Sequence, residues 1–185
     1  VIRYILWNMV YVEGGTANLG DNNNYPVDVA SFFINRYEVS QDEWYVIMGE
    51  NPSNQHRRNY PVDQVNWFNA QRFTKKLSQL SGLPFRLPFE AEWEYAARGG
   101  LKTKNFIYAG SNNAEQVAWF REKYYNTYVS KETGTKKPNE LGLYDMSGNV
   151  YEWCMDWYDR KVPFTGNIAP VICEKDTHKV LRGGS

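Results

Sequence analysis

Asp145 and Glu152 bracket Gly148-Asn149 in a short polar segment. Two carboxylates in a tight glycine-containing loop can converge, with backbone carbonyls, on one hard cation. Oxygen-only ligation of that kind suits calcium. The other reading of the same residues is that both carboxylates hydrogen-bond loop amides. A second acidic set, Glu90 and Glu94 with Arg98, has i, i+4, i+8 spacing and shares one helix face. A glutamate pair could act as general acid and base. The favoured alternative is an ion-pair ladder that anchors neighbouring loops.

Cys154 and Cys173 are the two cysteines, and His56 and His178 the two histidines. They are too few and too scattered for a self-contained structural zinc site. Cys154 stands in Glu152-Trp153-Cys154-Met155-Asp156-Trp157, between core-type rings, and reads as a buried thiol or half of a disulfide. Spacing does not decide whether Cys173 is its partner. Near the end, Gly183 and Gly184 let a backbone or ligand approach closely, and Ser185 offers a hydroxyl. Tyr151 and Trp153 alternate, so one ring is expected to face the core and the other a groove.

The elements that must hold these residues follow from local pattern. Met9–Val12 reads as a strand into Gly14-Gly15, and residues 21–24 as a polar turn. Phe32 to Val39 reads as a second strand, with Phe33, Asn35 and Tyr37 on one face and Phe32, Ile34, Arg36 and Glu38 on the other. Ser40 and Glu43 have capping-box spacing before Trp44, Ile47 and Met48, a helix stopped by Gly49. Asn66 caps a longer helix with Ala70, Phe73, Leu77 and Leu80 on one face, ended by Gly82. Phe85-Arg86-Leu87 reads as a short strand. Glu90 to Ala97 forms a further helix, with acids in its first turn. From Phe106 onward, strands and long loops are expected. Helices early and strands late favour α+β over alternating βαβ units.

Composition agrees with a loop-rich fold. The 185 residues are 16% aromatic, with 7 Trp and 14 Tyr, but only 42% hydrophobic. Mean hydropathy is -0.64. A Leu-rich helical bundle is excluded. Residues 1–185 are expected to form a single domain, large enough to bury about 70% of the surface its unfolded chain exposes. Lys plus Arg and Asp plus Glu both number 21. That balance argues against bulk electrostatic binding to nucleic acid or anionic membrane. No apolar run reaches the roughly 20 residues of a transmembrane segment.

Three segments are more specific. They are Arg86-Leu87-Pro88-Phe89-Glu90-Ala91-Glu92-Trp93-Glu94-Tyr95-Ala96-Ala97-Arg98-Gly99-Gly100, then Gly142-Leu143-Tyr144-Asp145-Met146-Ser147-Gly148-Asn149-Val150-Tyr151-Glu152-Trp153, and Val180-Leu181-Arg182-Gly183-Gly184-Ser185. In that order they resemble the formylglycine-generating-enzyme, or sulfatase-modifying-factor, family. Tyr37-Glu38-Val39-Ser40-Gln41 and Pro61-Val62-Asp63-Gln64-Val65-Asn66-Trp67 add to the likeness, which extends over nearly the whole chain from Met9.

The resemblance implies a C-type-lectin-like α+β fold with little regular secondary structure. It implies calcium held by the side chains of Asp145 and Glu152 and the backbone oxygens of Gly148 and Val150. A second calcium site of the family would fall between Ala118 and Glu140, where the residues diverge too far to be carried over. It implies a ligand groove at Ser185, Tyr151, Gly183 and Gly184, with Tyr151 facing the groove. Phe89 stands where the family usually has an N-capping Thr, and is expected to pack instead. Competent relatives bind copper(I) through two cysteines three and eight residues beyond the serine that corresponds to Ser185. Neither Cys154 nor Cys173 matches those positions. The chain is therefore expected to stop short of the family's C-terminal segment. It is expected to be a non-catalytic binding or display module of a bacterial envelope or secreted protein, with a protein or peptide ligand. The alternative is a copper-dependent formylglycine-generating oxidase whose cysteines lie beyond this chain. The sulfoxide-forming branch uses iron held by histidines, mostly of a fused domain, and His56 and His178 alone do not supply them.

Overall fold

A computed structural model describes residues 1–20, 25–120, 129–158 and 178–184. The polar turn expected at 21–24, Cys173 and Ser185 lie outside the described residues, as does part of the 118–140 stretch. In chain order the elements are α1 (Ile2–Trp7), β1 (Met9–Val12), β2 (Gly15–Leu19), β3 (Tyr25–Val29), β4 (Phe32–Asn35), α2 (Gln41–Met48), α3 (Trp67–Ser81), α4 (Glu90–Ala97), α5 (Ala114–Val117), β5 (Glu152–Trp157) and β6 (Lys179–Arg182). The described strands pair as three two-stranded antiparallel sheets, β1 with β4, β2 with β3 and β5 with β6.

Capping chemistry sets the two early helices. The Ser40 hydroxyl accepts from the Glu43 amide, and the Glu43 carboxylate accepts from the Ser40 amide at 2.8 Å. Gly49 closes α2 in the left-handed conformation with φ 85°. Asn66 caps α3 through the Asn69 amide, and Gly82 ends it at φ 74°. Trp44 of α2 stacks on Phe73 of α3 with ring centroids 5.1 Å apart. With Ile5, Ile47 and Leu77 they form one buried cluster. The expected apolar face of α3 is shorter than its pattern suggested, because Leu80 is exposed in the last turn.

A second cluster gathers β2, β3, α4 and β5 around Leu19, Val27, Trp93, Tyr95, Leu143 and Cys154. Two expectations are corrected. The strand from Phe32 ends at Asn35: the Arg36 amide still donates to Asn8 in the β1 register, but the Arg36 carbonyl accepts the Tyr144 amide instead. Phe85-Arg86-Leu87 forms no strand among the described residues. The Ser78 hydroxyl holds the Phe85 amide at 2.8 Å and so pins this segment to α3.

Candidate cation-binding loop and exposed aromatic surface

The loop between Tyr144 and β5 is built on two non-glycine residues with positive φ, Asp145 at 57° and Asn149 at 67°. Asp and Asn tolerate this conformation better than other side chains, and such residues gather at functional sites. Gly148 is required between them: at φ 149°, a Cβ would lie 2.3 Å from the Trp119 carbonyl oxygen. The Asn149 amide donates to that same carbonyl at 2.8 Å.

Three carboxylates surround the loop: Asp145 and Glu38 are buried, and Glu152 is half-buried with its Oε1 enclosed. Asp145 is 2% exposed, and its Oδ2 accepts from the Gly134 amide at 2.7 Å. Glu38 Oε2 accepts from the Asn149 side-chain amide at 2.6 Å and its Oε1 from the Val150 amide at 3.1 Å. Glu152 opens β5 beneath Gly183. Two oxygens, Asp145 Oδ1 and Glu152 Oε1, are buried without a hydrogen-bond partner. The Trp93 indole N–H is near enough to Glu152 to favour its ionised form, yet completes no hydrogen bond of ordinary geometry.

Burial pushes all three carboxyls up. Glu152 is raised to about 7, chiefly by desolvation. Glu38 is raised well above the usual range by desolvation and then by the charges of Glu152 and Asp145. Asp145 is raised by desolvation against the opposing Gly134 hydrogen bond. Partnerless carboxylate oxygens are costly to bury unless a proton or a cation compensates them. Gly183 adds to the cradle. A Cβ there would lie 2.9 Å from the Val150 carbonyl oxygen and 3.7 Å from Glu152 Oε1. The donor set is all oxygen: two carboxylates with free lone pairs and a glycine-lined carbonyl. It fits a hard cation such as calcium.

On the outside of the same loop Tyr151 is 58% exposed. Trp153 turns inward, its indole N–H donating to the Val65 carbonyl at 2.9 Å. Gly183 and Gly184 follow β6, with φ 84° and 102°. Ser185, the fourth residue of the expected groove, lies outside the described residues.

The helix-face acids serve as anchors. Glu94, 6% exposed, accepts from the Gly20 amide at 2.8 Å and pairs with Arg98 at 2.7 Å. Its other oxygen pairs with Arg182, whose Nε lies 3.5 Å from Glu90. Glu90, Glu94 and Arg98 thus tie α4 to the end of β2 and to β6, as the ladder reading expects. Cys154 is fully buried, and burial pushes its thiol well up. No disulfide forms among the described residues. His56 is exposed. Glu38 was not singled out as a site residue from sequence. The available signal was a lone acid inside the apolar run Tyr37-Glu38-Val39.

Comparison with known proteins places the chain. The sulfatase-modifying factor enzyme 1-like domain matches residues 5–185. The chaperone protein LppX of Paenibacillus barcinonensis is 35% identical, over 82% of this chain and 72% of that protein. A formylglycine-generating enzyme of Streptomyces coelicolor is 34% identical over 70% of this chain but 43% of its own length, so the chain spans less than half of that enzyme. Among solved structures, Treponema denticola variable protein 1 superposes with a TM-score of 0.76 at 28% identity, covering 96% of this chain and 83% of that one. The motifs, the loop-rich α+β architecture and these matches agree, and the chain belongs to the sulfatase-modifying factor enzyme 1-like family.

Proposed function

We propose that this chain is a non-catalytic binding or display module of a bacterial envelope or surface protein. Calcium orders its 145–152 loop, and the Tyr151 surface meets a protein or peptide ligand. The observation that carries this reading is the pair of buried, partnerless oxygens on Asp145 and Glu152, in the same segment that exposes Tyr151. Asp145, Glu152 and the carbonyls of Gly148 and Val150 would hold the ion. The ion would supply charge compensation and rigidity, so that an exposed aromatic is presented from an ordered backbone. Tyr151, Gly183, Gly184 and Ser185 would form the contact surface. Aromatic residues beside accessible backbone suit peptide recognition.

The likeness to a protein named a variable protein supports display, and the likeness to one named a chaperone supports a polypeptide ligand. An extracytoplasmic setting fits a weak calcium module, since extracellular sites work at calcium levels of about 0.1–1 mM. No helix among the described residues is long and apolar enough to cross a membrane.

The second reading, a copper-dependent formylglycine-generating oxidase whose catalytic cysteines lie beyond this chain, is favoured by the identity to the Streptomyces coelicolor enzyme. Cys154 does not substitute for those cysteines, because a buried thiol with a raised pKa supplies little thiolate for copper(I). The test pairs two assays on the calcium-loaded protein. Panning a random-peptide library should yield binders that Tyr151→Ala no longer holds. A Cys-x-Pro-x-Arg peptide with copper(I) and oxygen should remain unconverted. Conversion of the peptide to formylglycine would establish the enzyme reading instead.

A further inference from the structure

Glu38 is the one carboxylate of the three whose two oxygens are both committed to the loop itself. It receives the Asn149 side-chain amide at 2.6 Å and the Val150 backbone amide at 3.1 Å. The chain on either side of it is held. The Tyr144 amide donates to the Arg36 carbonyl at 3.0 Å, and the Val62 amide to the Val39 carbonyl at 2.9 Å. Glu38 is therefore a fixed point, and the loop is fastened to it.

Its grip falls on the peptides next to the ligand carbonyls. In a trans peptide the N–H and C=O point in opposite directions. The Asn149 amide is held by Trp119, which turns the Gly148 carbonyl away from Trp119. The Val150 amide is held by Glu38, which fixes the 149–150 peptide plane, the one between the Gly148 and Val150 carbonyls. Asn149, fully buried at φ 67°, is clamped further by its Oδ1, which accepts the Lys131 amide at 2.8 Å. The left-handed turn at Asn149 reverses the backbone between Gly148 and Val150.

We infer that Glu38 is the positioning residue of the cation site: through Asn149 and the Val150 amide it sets the backbone oxygens that calcium needs, without itself touching the ion. The inference rests on the calcium reading above. Loss of an outer partner of this kind typically weakens metal binding about 10- to 100-fold.

The experiment is a terbium titration of the full chain, followed by calcium competition. Emission would be read by sensitisation from Trp93, which borders Glu152. Wild type, Glu38→Gln and Asn149→Ser are compared, with the thermal midpoint of each measured in chelator. Gln is isosteric but faces the Asn149 amide with a second donor. Ser removes the amide that Glu38 holds. Both variants should bind terbium and calcium at least about tenfold more weakly while remaining folded. The emission decay measured in H2O and D2O should show more water on the ion. Wild-type binding that survives unchanged in both folded variants would overturn the role of Glu38 and leave the calcium reading standing. Absence of binding in wild type would overturn both.

Discussion

Asp156 of β5 accepts the backbone amide of Glu90, the first residue of α4, at 2.7 Å. Phe89 occupies the N-cap position and has no side-chain acceptor, so the cap arrives from another strand. The Glu92 carboxylate adds a second anchor by accepting the Phe89 amide at 2.8 Å. Phe89 packs under the Arg86 guanidinium, 4.7 Å from the ring centroid. Replacing Asp156 by Ala should cost about 1 kcal/mol, the usual value of a lost cap. Urea denaturation would measure it. An unchanged midpoint would show that Glu92 alone suffices.

The Glu94 anchor should matter more. Glu94→Ala leaves the Gly20 amide, Arg98 and Arg182 without their shared acceptor, and about 3 kcal/mol of destabilisation is expected. Glu90→Ala, on the longer contact to Arg182, should cost roughly 1 kcal/mol or less. Equal costs for the two would contradict the geometry.

The buried carboxyls give a pH dependence of definite sign. In chelator, Glu152 holds its proton up to about 7 in the folded protein, and Glu38 is displaced the same way. The unfolded chain releases these protons near the ordinary glutamate value of about 4.3. Between those limits the folded state binds more protons, so its stability falls as pH rises. Calcium binds the ionised carboxylates, so the stabilisation it gives should grow over the same window. Thermal midpoints measured from about pH 5 to about pH 7.5, with chelator and with calcium, should therefore diverge. A calcium effect independent of pH would contradict the site.

The parts of the fold legible in sequence are those with local chemistry. Ser40 with Glu43, Asn66 and the glycines at 49 and 82 set α2 and α3 through contacts a few residues apart. The β2–β3 hairpin and α1 escaped that reading. β2 alternates exposed Thr16 and Asn18 with only Gly15, Ala17 and Leu19 inward, a weak apolar signal; Pro26 interrupts β3, and α1 has no side-chain cap. Their order comes from tertiary burial of Ile5, Leu19, Val27 and Val29. At the site, Asp145 and Glu152 were legible because they share one motif. Glu38 was not, because it reaches Asn149 across 111 positions, and a charged residue in a strand-like run reads as a solvent-facing one.

Tyr151→Ala should separate binding from folding. The ring is mostly exposed, so stability should change by no more than about 0.5 kcal/mol. Affinity for selected peptides should drop at least about tenfold if the ring is an anchor. Retained affinity would move the contact surface elsewhere.

Calcium calorimetry on the wild type and on Glu152→Gln decides whether the loop holds an ion. One ion should bind at the 145–152 loop, with that binding lost in Glu152→Gln while the protein stays folded. No binding heat accompanied by no thermal shift in calcium, or undiminished binding in the variant, would contradict it.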